Sequence, residues 1–280
     1  MATLITGASG YVGSHLQAVL TEQERNNCLT PDLDEFELAD AACVDRYFAE
    51  HSVDQVIHLA ACLDSSAPAS LFISNIEGML NLLSASIKYN VSYFLFISGN
   101  NVYGANGDRK FIEGDKRNPL SGNRYGLSKY CGELMIADYL AQTNTRYGIL
   151  RIADIYGPGQ KTGALLKAIT TNMKEGQPQR LYGVGDRTRD YIYIDDVAQG
   201  IAFAARKKLE GIYNLSTGVG TSVADLVHMA EEISSCKEPT IPVAVEKEDH
   251  SKVVLDNSKL KQAGFAPSVT IAEGLRRLAE

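Results

Sequence analysis

The chain has 280 residues, 45% of them hydrophobic, which allows one large domain or a domain with a smaller lobe and excludes global disorder. A net charge of -7 argues against a general nucleic-acid binder. No apolar run reaches the ~18 residues that a membrane span needs. The opening stretch MATLITGASG has no basic segment ahead of an apolar one, so a cytoplasmic protein without a secretory signal is expected. Cys28, Cys43, Cys62, Cys131 and Cys236 are odd in number and scattered, without a CxxC pair. They read as free thiols in a reducing compartment. The histidines form no ligand pattern, so no metal is expected.

In chain order, ATLIT reads as a strand and YVGSHLQAVLTE as a helix. DQVIHLA is a strand, followed by a long helical stretch from Pro68 to about Tyr89. VSYFLFIS is another strand, and a long polar loop from Gly104 to Gly122 leads to a helix holding YGLSKYCGELMIADYLA. TRYGILRI is a strand again. This alternation predicts an α/β fold, a doubly wound parallel sheet of Rossmann-like type. The strands are continuously apolar, as they must be when both faces are covered. After YGPGQ the composition shifts to short helices, a Gly-rich turn at 183–185 and a charged stretch at 246–252. The expected division is a dinucleotide-binding domain over 1–157, with 186–217 returning to it. A smaller C-terminal substrate-binding lobe would take 158–185 and 218–280.

Two patterns carry chemistry. TGASGYVG places Gly7, Gly10 and Gly13 between the first strand and the first helix. Small residues there let the backbone approach a pyrophosphate, and the helix N-terminus offers unpaired N–H groups and a positive dipole end. The residues after the second strand include Asp32, Asp34, Glu35, Glu37 and Asp40, with no cation, which leans towards NAD over NADP. Asp40 also stands where it could cap the next helix. The second pattern is Tyr125-x-x-x-Lys129, one helical turn apart on one face. A lysine cation there would lower the phenol pKa from about 10 towards the working range of a general acid/base.

Together these patterns resemble the extended short-chain dehydrogenase/reductases, the NAD-dependent epimerase/dehydratase family of nucleotide-sugar epimerases, dehydratases and keto-sugar reductases. VIHLAA (56–61), NIEGMLNLL (75–83), NVYG (101–104), LRIADIYGPGQ (150–160), YGVGDRTRDYIYIDDVA (182–198) and GIYNLSTG (211–218) extend the likeness nearly end to end. The resemblance implies a catalytic Tyr125 and a Lys129 that also contacts the nicotinamide ribose. It implies cofactor contacts from Gly7, Gly10, Tyr11, Val12, Gly13, Asp40, Leu59, Ala60, Ala61, Asn75, Ser98 and Ile152. Substrate contacts would come from Asn100, Tyr103, Asp154, Arg189 and Asp249. The cofactor would lie across the carboxyl ends of the strands and the sugar between the lobes.

Three departures stand out. The usual Ser or Thr three residues before the Val of VYG is here Gly99. Ser98, Asn100 or Asn101 would have to replace its hydroxyl, with Ser98 slightly ahead if a turn at Gly99 re-aims it. Family dehydratases carry an acid where this chain has Asn100, which disfavours dehydration. Asp154 stands where the family commonly has Asn, and the tail offers Asp249 with only Lys247 near it. The expected function is reduction of a 4-keto sugar on a nucleotide. A UDP-glucose 4-epimerase-like reaction is the alternative, and a non-catalytic NAD(P) sensor the third reading. A nucleotide-sugar partner and a homodimer built on the 68–89 and 123–142 helices are also implied.

Overall fold

The computed structural model describes residues 2–104, 109–119, 123–160 and 163–280. The loop expected from Gly104 to Gly122 falls partly on 105–108 and 120–122, outside the described residues. The chain opens with β1 (Ala2–Thr6), α1 (Tyr11–Val19), α2 (Glu22–Asn26), β2 (Cys28–Leu29), α3 (Ala41–Glu50) and β3 (Val53–His58). It continues through α4 (Pro68–Phe72), α5 (Gly78–Lys88), β4 (Tyr93–Gly99), α6 (Arg124–Tyr139), β5 (Arg146–Ile152), β6 (Asp154–Tyr156), α7 (Ala164–Glu175) and β7 (Arg180–Tyr182). Then come β8 (Thr188–Tyr193), α8 (Ile194–Lys207), β9 (Gly211–Leu215), β10 (Gly220–Ser222), α9 (Val223–Ile233), β11 (Ile241–Val243), β12 (Lys252–Val253), α10 (Ser258–Gln262) and α11 (Ile271–Ala279).

Two compact units emerge. The first runs to Gly104 and adds Glu113–Ile152 and Ala198–Leu215. Its sheet has the order β2-β1-β3-β4-β5-β9, and every neighbouring pair is parallel. The order reverses between β1 and β3, so the loops leaving their carboxyl ends diverge and open a crevice there. On one face Leu4, Val56, Phe94, Phe96 and Ile149 pack against Val44 of α3, Met79, Leu82 and Leu83 of α5 and Ile136 of α6. The other face meets α8, where Gln55 donates to the Ala205 carbonyl. Burial on both faces explains why YFLFIS is apolar without alternation.

The stretch predicted as one helix from Pro68 is helical throughout, but Ile73–Glu77 is a π-helical segment between α4 and α5. Such bulges redirect a side chain. Here the redirected residue is Asn75, whose Oδ1 accepts from Cys62 N (2.7 Å) and whose Nδ2 donates to Cys62 O and Ser128 Oγ.

The second unit comprises Ala153–Val197, Ser216–Glu280 and a short segment ending at Ile112. β8, placed in the sheet domain by the sequence, is instead the centre of this unit. It pairs with β6, β10 and β12. Buried carboxylates staple its connections. Asp190 accepts from Thr217 N and Oγ1, Gly218 N and Leu255 N. Asp196 accepts from Ser268 N and Oγ and Val269 N. The backbone bonds satisfy loop amides that burial would otherwise leave orphaned, and the two hydroxyls add to them.

Candidate active site

The glycine turn closes on itself directly after β1. Gly10 N donates to Gly7 O at 3.0 Å, and Gly7 has a φ of 71°, the left-handed region that glycine tolerates. A Cβ on Gly7 would come within 2.8 Å of Ala60 backbone, and one on Gly13 within 2.3 Å of the Gly7 carbonyl. Both positions therefore need glycine for the turn to sit against β3 and α1. Tyr11, Val12 and Gly13 form the first turn of α1, which has no side-chain cap and no acidic residue. No side-chain cap or first-turn carboxylate occupies its positive dipole end, which favours an anion there. Leu59, Ala60 and Ala61 leave β3 alongside, with Leu59 N on Thr6 O and Ala60 N on Thr6 Oγ1. These features fit a dinucleotide pyrophosphate.

The acidic residues Asp32, Asp34, Glu35 and Glu37 are exposed after β2. Asp40 is the cap of α3, accepting from Ala42 N and Cys43 N. Asn75 spends its amide on Cys62 and Ser128, holding the 59–62 segment to α6. Asn75 thus has its amide engaged, whereas Asp40 is exposed and caps α3 through one carboxylate oxygen, Oδ1.

Tyr125 and Lys129 share one face of α6, and Glu133 continues that face at the same spacing. Lys129 Nζ donates to Ile97 O at 2.8 Å, lies 4.8 Å from the Phe96 ring and 5.7 Å from the Tyr125 ring. Burial lowers the lysine pKa to about 8, with the Glu133 charge pulling the other way. The expected acidification of the phenol is reversed. Burial pushes Tyr125 up to about 12, and the lysine, aimed at a carbonyl, does not offset it. His58 beside this group is held neutral, its pKa lowered to about 3 by burial and then by the Lys129 cation. Its Nδ1 lies 2.7 Å from Thr6 Oγ1.

Beneath the lysine lies a buried polar network that sequence reading missed. Arg151 on β5 is fully buried. Its Nε and Nη2 donate to Glu133 at 2.9 and 2.6 Å, and its Nη1 donates to Tyr103 Oη and Glu113 O. Tyr103 Oη in turn donates to Asn214. Tyr103, expected on the substrate side, is therefore a member of this network at 2% exposure. The Lys129–Glu133 spacing was the available signal; the strand arginine is a long-range partner with none.

The Ser98–Asn101 segment also differs from expectation. Gly99 is the last residue of β4, with φ -147° and ψ 168°, so the strand continues through it and no turn re-aims Ser98. Ser98 Oγ donates to Glu133 Oε1 at 2.7 Å and is buried, which commits it to the network. Asn100 is buried in a 3₁₀ turn, and Asn101 is exposed. Ile152 pairs with Gly99 across the strands.

In the second unit Asp154, Arg189 and Asp249 lie near one another. Arg189 Nε lies 3.8 Å from Asp154 and Nη2 lies 3.6 Å from Asp249, while Nη1 donates to Thr188 O and Ser251 O. Arg187 approaches Asp249 to 4.0 Å. Asp186, Glu248 and His250 also cluster, with ligand atoms within 4.8 Å of one another. Asp186 bonds the His250 ring and raises its pKa, as in an exposed ion pair.

Residues 3–216 match the family model of the NAD dependent epimerase/dehydratase family. The chain belongs to that family. It is 29% identical to the UDP-glucose 4-epimerase of Thermotoga maritima solved with UDP-glucose. That match covers 100% of this chain and 97% of the other, with a TM-score of 0.82. The Thermus thermophilus UDP-glucose 4-epimerase solved with NAD is 27% identical, covers 100% of this chain and 98% of that one, and also gives a TM-score of 0.82. The dTDP-glucose 4,6-dehydratase of Streptomyces griseus is 27% identical over 97% of this chain and 91% of its own length. The family is one of NAD-dependent enzymes, and the glycine turn, the capless α1 and the Tyr125–Lys129 face of this member fit NAD.

Proposed function

We propose that this chain transfers a hydride at C4 of a nucleotide-activated sugar, reducing a 4-keto sugar with Tyr125 as general acid. The observation that carries the proposal is the partly buried Tyr125 and the buried Lys129 on one face of α6, with the lysine tethered to Ile97. Bound NADH would supply the hydride. Tyr125 would give its proton to the C4 oxygen, and Lys129 would hold the ribose beside it. A phenol that keeps its proton up to about pH 12 is ready as an acid. Epimerisation would need the same side chain to take a proton first and return it afterwards, so Tyr125 serves either reaction. Dehydration is disfavoured because Asn100 carries an amide and is buried.

A 4-epimerase is the second reading, supported by the two solved UDP-glucose 4-epimerases that align with the whole chain and by the acidic run after β2. A sensor that only binds NAD(P) is the third, supported by Gly99. Exposed Ile73 just after α4 and exposed Leu127 and Leu134 on α6 suit a homodimer face. Among the described residues no helix is long and apolar enough to cross a membrane.

Denaturing freshly purified protein and assaying the supernatant for NAD(H) and NADP(H) tests these readings. A reductase must release oxidised cofactor each turnover, so little retained cofactor and tight binding of added NADH are expected. Near-stoichiometric retained NAD would move the assignment to epimerisation. Binding of neither NAD(H) nor NADP(H) would remove the enzyme reading.

A further inference from the structure

We infer that the side-chain amide of Asn101 donates to the sugar C4 oxygen, in the place where a Ser or Thr hydroxyl at position 99 would act. This rests on the function proposed above. Space supplies the first argument. A Cβ built on Gly99 would have Asn101 Nδ2 at 3.8 Å and Ile152 O at 3.9 Å as its nearest neighbours. The region a serine side chain would enter is open, and the polar side-chain group bordering it is the Asn101 amide.

The amide's orientation supplies the second. Asn123 caps α6 through its Oδ1, which accepts from Gly126 N at 2.8 Å. Its Nδ2 is therefore a donor, and it reaches Asn101 Oδ1 at 3.3 Å. With the oxygen of Asn101 turned to Asn123, its NH₂ faces the Gly99 side. Position supplies the third. A Cβ on Gly126 would lie 2.7 Å from Asn101 O and 3.0 Å from Asn101 Cβ. Glycine at 126 thus lets the 3₁₀ turn sit against the first turn of α6, one residue from Tyr125. Ser98 is committed to Glu133, and Asn100 is only 5% exposed, whereas Asn101 is exposed.

A primary amide donates a hydrogen bond but does not relay a proton. In the reduction, a hydride adds to C4, the C=O π pair moves to oxygen, and Tyr125 delivers the proton. Asn101 stabilises the charge on that oxygen and exchanges nothing. Tyr125 is then the single proton carrier, where a hydroxyl neighbour could share the transfer.

The test uses the full chain with two probes, dTDP-4-keto-6-deoxyglucose with NADH and UDP-glucose with NAD. NADH affinity and melting temperature are measured in parallel. Asn101→Ala is expected to lower kcat about 100-fold with NADH affinity and melting temperature unchanged. Asn101→Asp, which keeps the shape and loses the donor, is expected to fall at least as far. Gly99→Ser added to Asn101→Ala is expected to recover tenfold or more, because the serine enters the open space. An Asn101→Ala enzyme that matches an active wild type, or one whose loss of turnover follows a loss of NADH affinity, overturns the proposal alone. No turnover by the wild type with either probe overturns the function reading and this proposal with it.

Discussion

Arg151 and Arg189 are held in opposite ways. Arg151, in the first unit, is fully buried, and its guanidinium is divided among the Glu133 carboxylate, the Tyr103 hydroxyl and the Glu113 carbonyl. Arg189, in the second, keeps 16% of its side chain exposed, and its carboxylates stand off at 3.6 and 3.8 Å. The first arginine has four of its five N–H donors engaged and serves the fold: it anchors Glu133, which sits one turn below Lys129 on the same helix face. The second is fixed by bonds to Thr188 O, Ser251 O and Ser251 Oγ, with its carboxylates at longer range, so a ligand anion would compete with Asp154 and Asp249 for its charge. On the proposed reading, the first unit would hold the redox chemistry and Arg189 of the second would face the substrate's anion.

The contrast breaks most visibly if Glu133, the partner of Arg151, or Arg189 itself is removed. Glu133→Ala strands a buried guanidinium and should destabilise the fold by about 3–5 kcal/mol, read as a lowered denaturant midpoint. Arg189→Ala should cost within about 1 kcal/mol while weakening nucleotide-sugar binding. Equal losses of stability would erase the distinction.

A smaller effect sharpens the anion side. Asp154→Asn removes a charge facing the same guanidinium and should tighten UDP-glucose binding about fivefold, roughly 1 kcal/mol. The gain should shrink at high salt. Titration calorimetry showing weaker binding would mean that Asp154 holds a sugar hydroxyl instead.

The smallest effect is on pH. Lys129 has a folded pKa near 8, below its ordinary 10.5, because of burial, with Glu133 opposing. Between those values the unfolded chain binds the proton more than the folded one, so this group's contribution to stability rises with pH through that window. The charge needed at the ribose is lost over the same range, so turnover should fall as pH rises through about 8. Glu133→Gln should move that limb to lower pH. A profile flat to pH 10 would contradict it.

The sequence carried what is local. β1 runs over Ala2–Thr6 as read, Gly7, Gly10 and Gly13 form the turn, and Tyr125 and Lys129 share a helix face because spacing alone decides these. Spacing cannot report burial, so the direction of the Tyr125 shift came out opposite. It also cannot report partners far along the chain. Glu133 meets Arg151 and Ser98 only through the register of β4 and β5, and this takes Ser98 and Tyr103 out of the site. The π segment at 73–77 has no composition signal, yet it sets where Asn75 points. The sequence places residues 186–217 in the sheet domain, but β8 joins the second unit because its partners β10 and β12 lie far downstream.

The central claim, that Tyr125 carries the proton of a hydride transfer, is tested most directly by mixing wild type and Tyr125→Phe with NADH and dTDP-4-keto-6-deoxyglucose and following the loss of reduced nicotinamide. The account predicts equal NADH affinity for the two proteins and a rate about 1,000-fold lower without the phenol. A Tyr125→Phe enzyme that oxidises NADH at the wild-type rate would contradict it.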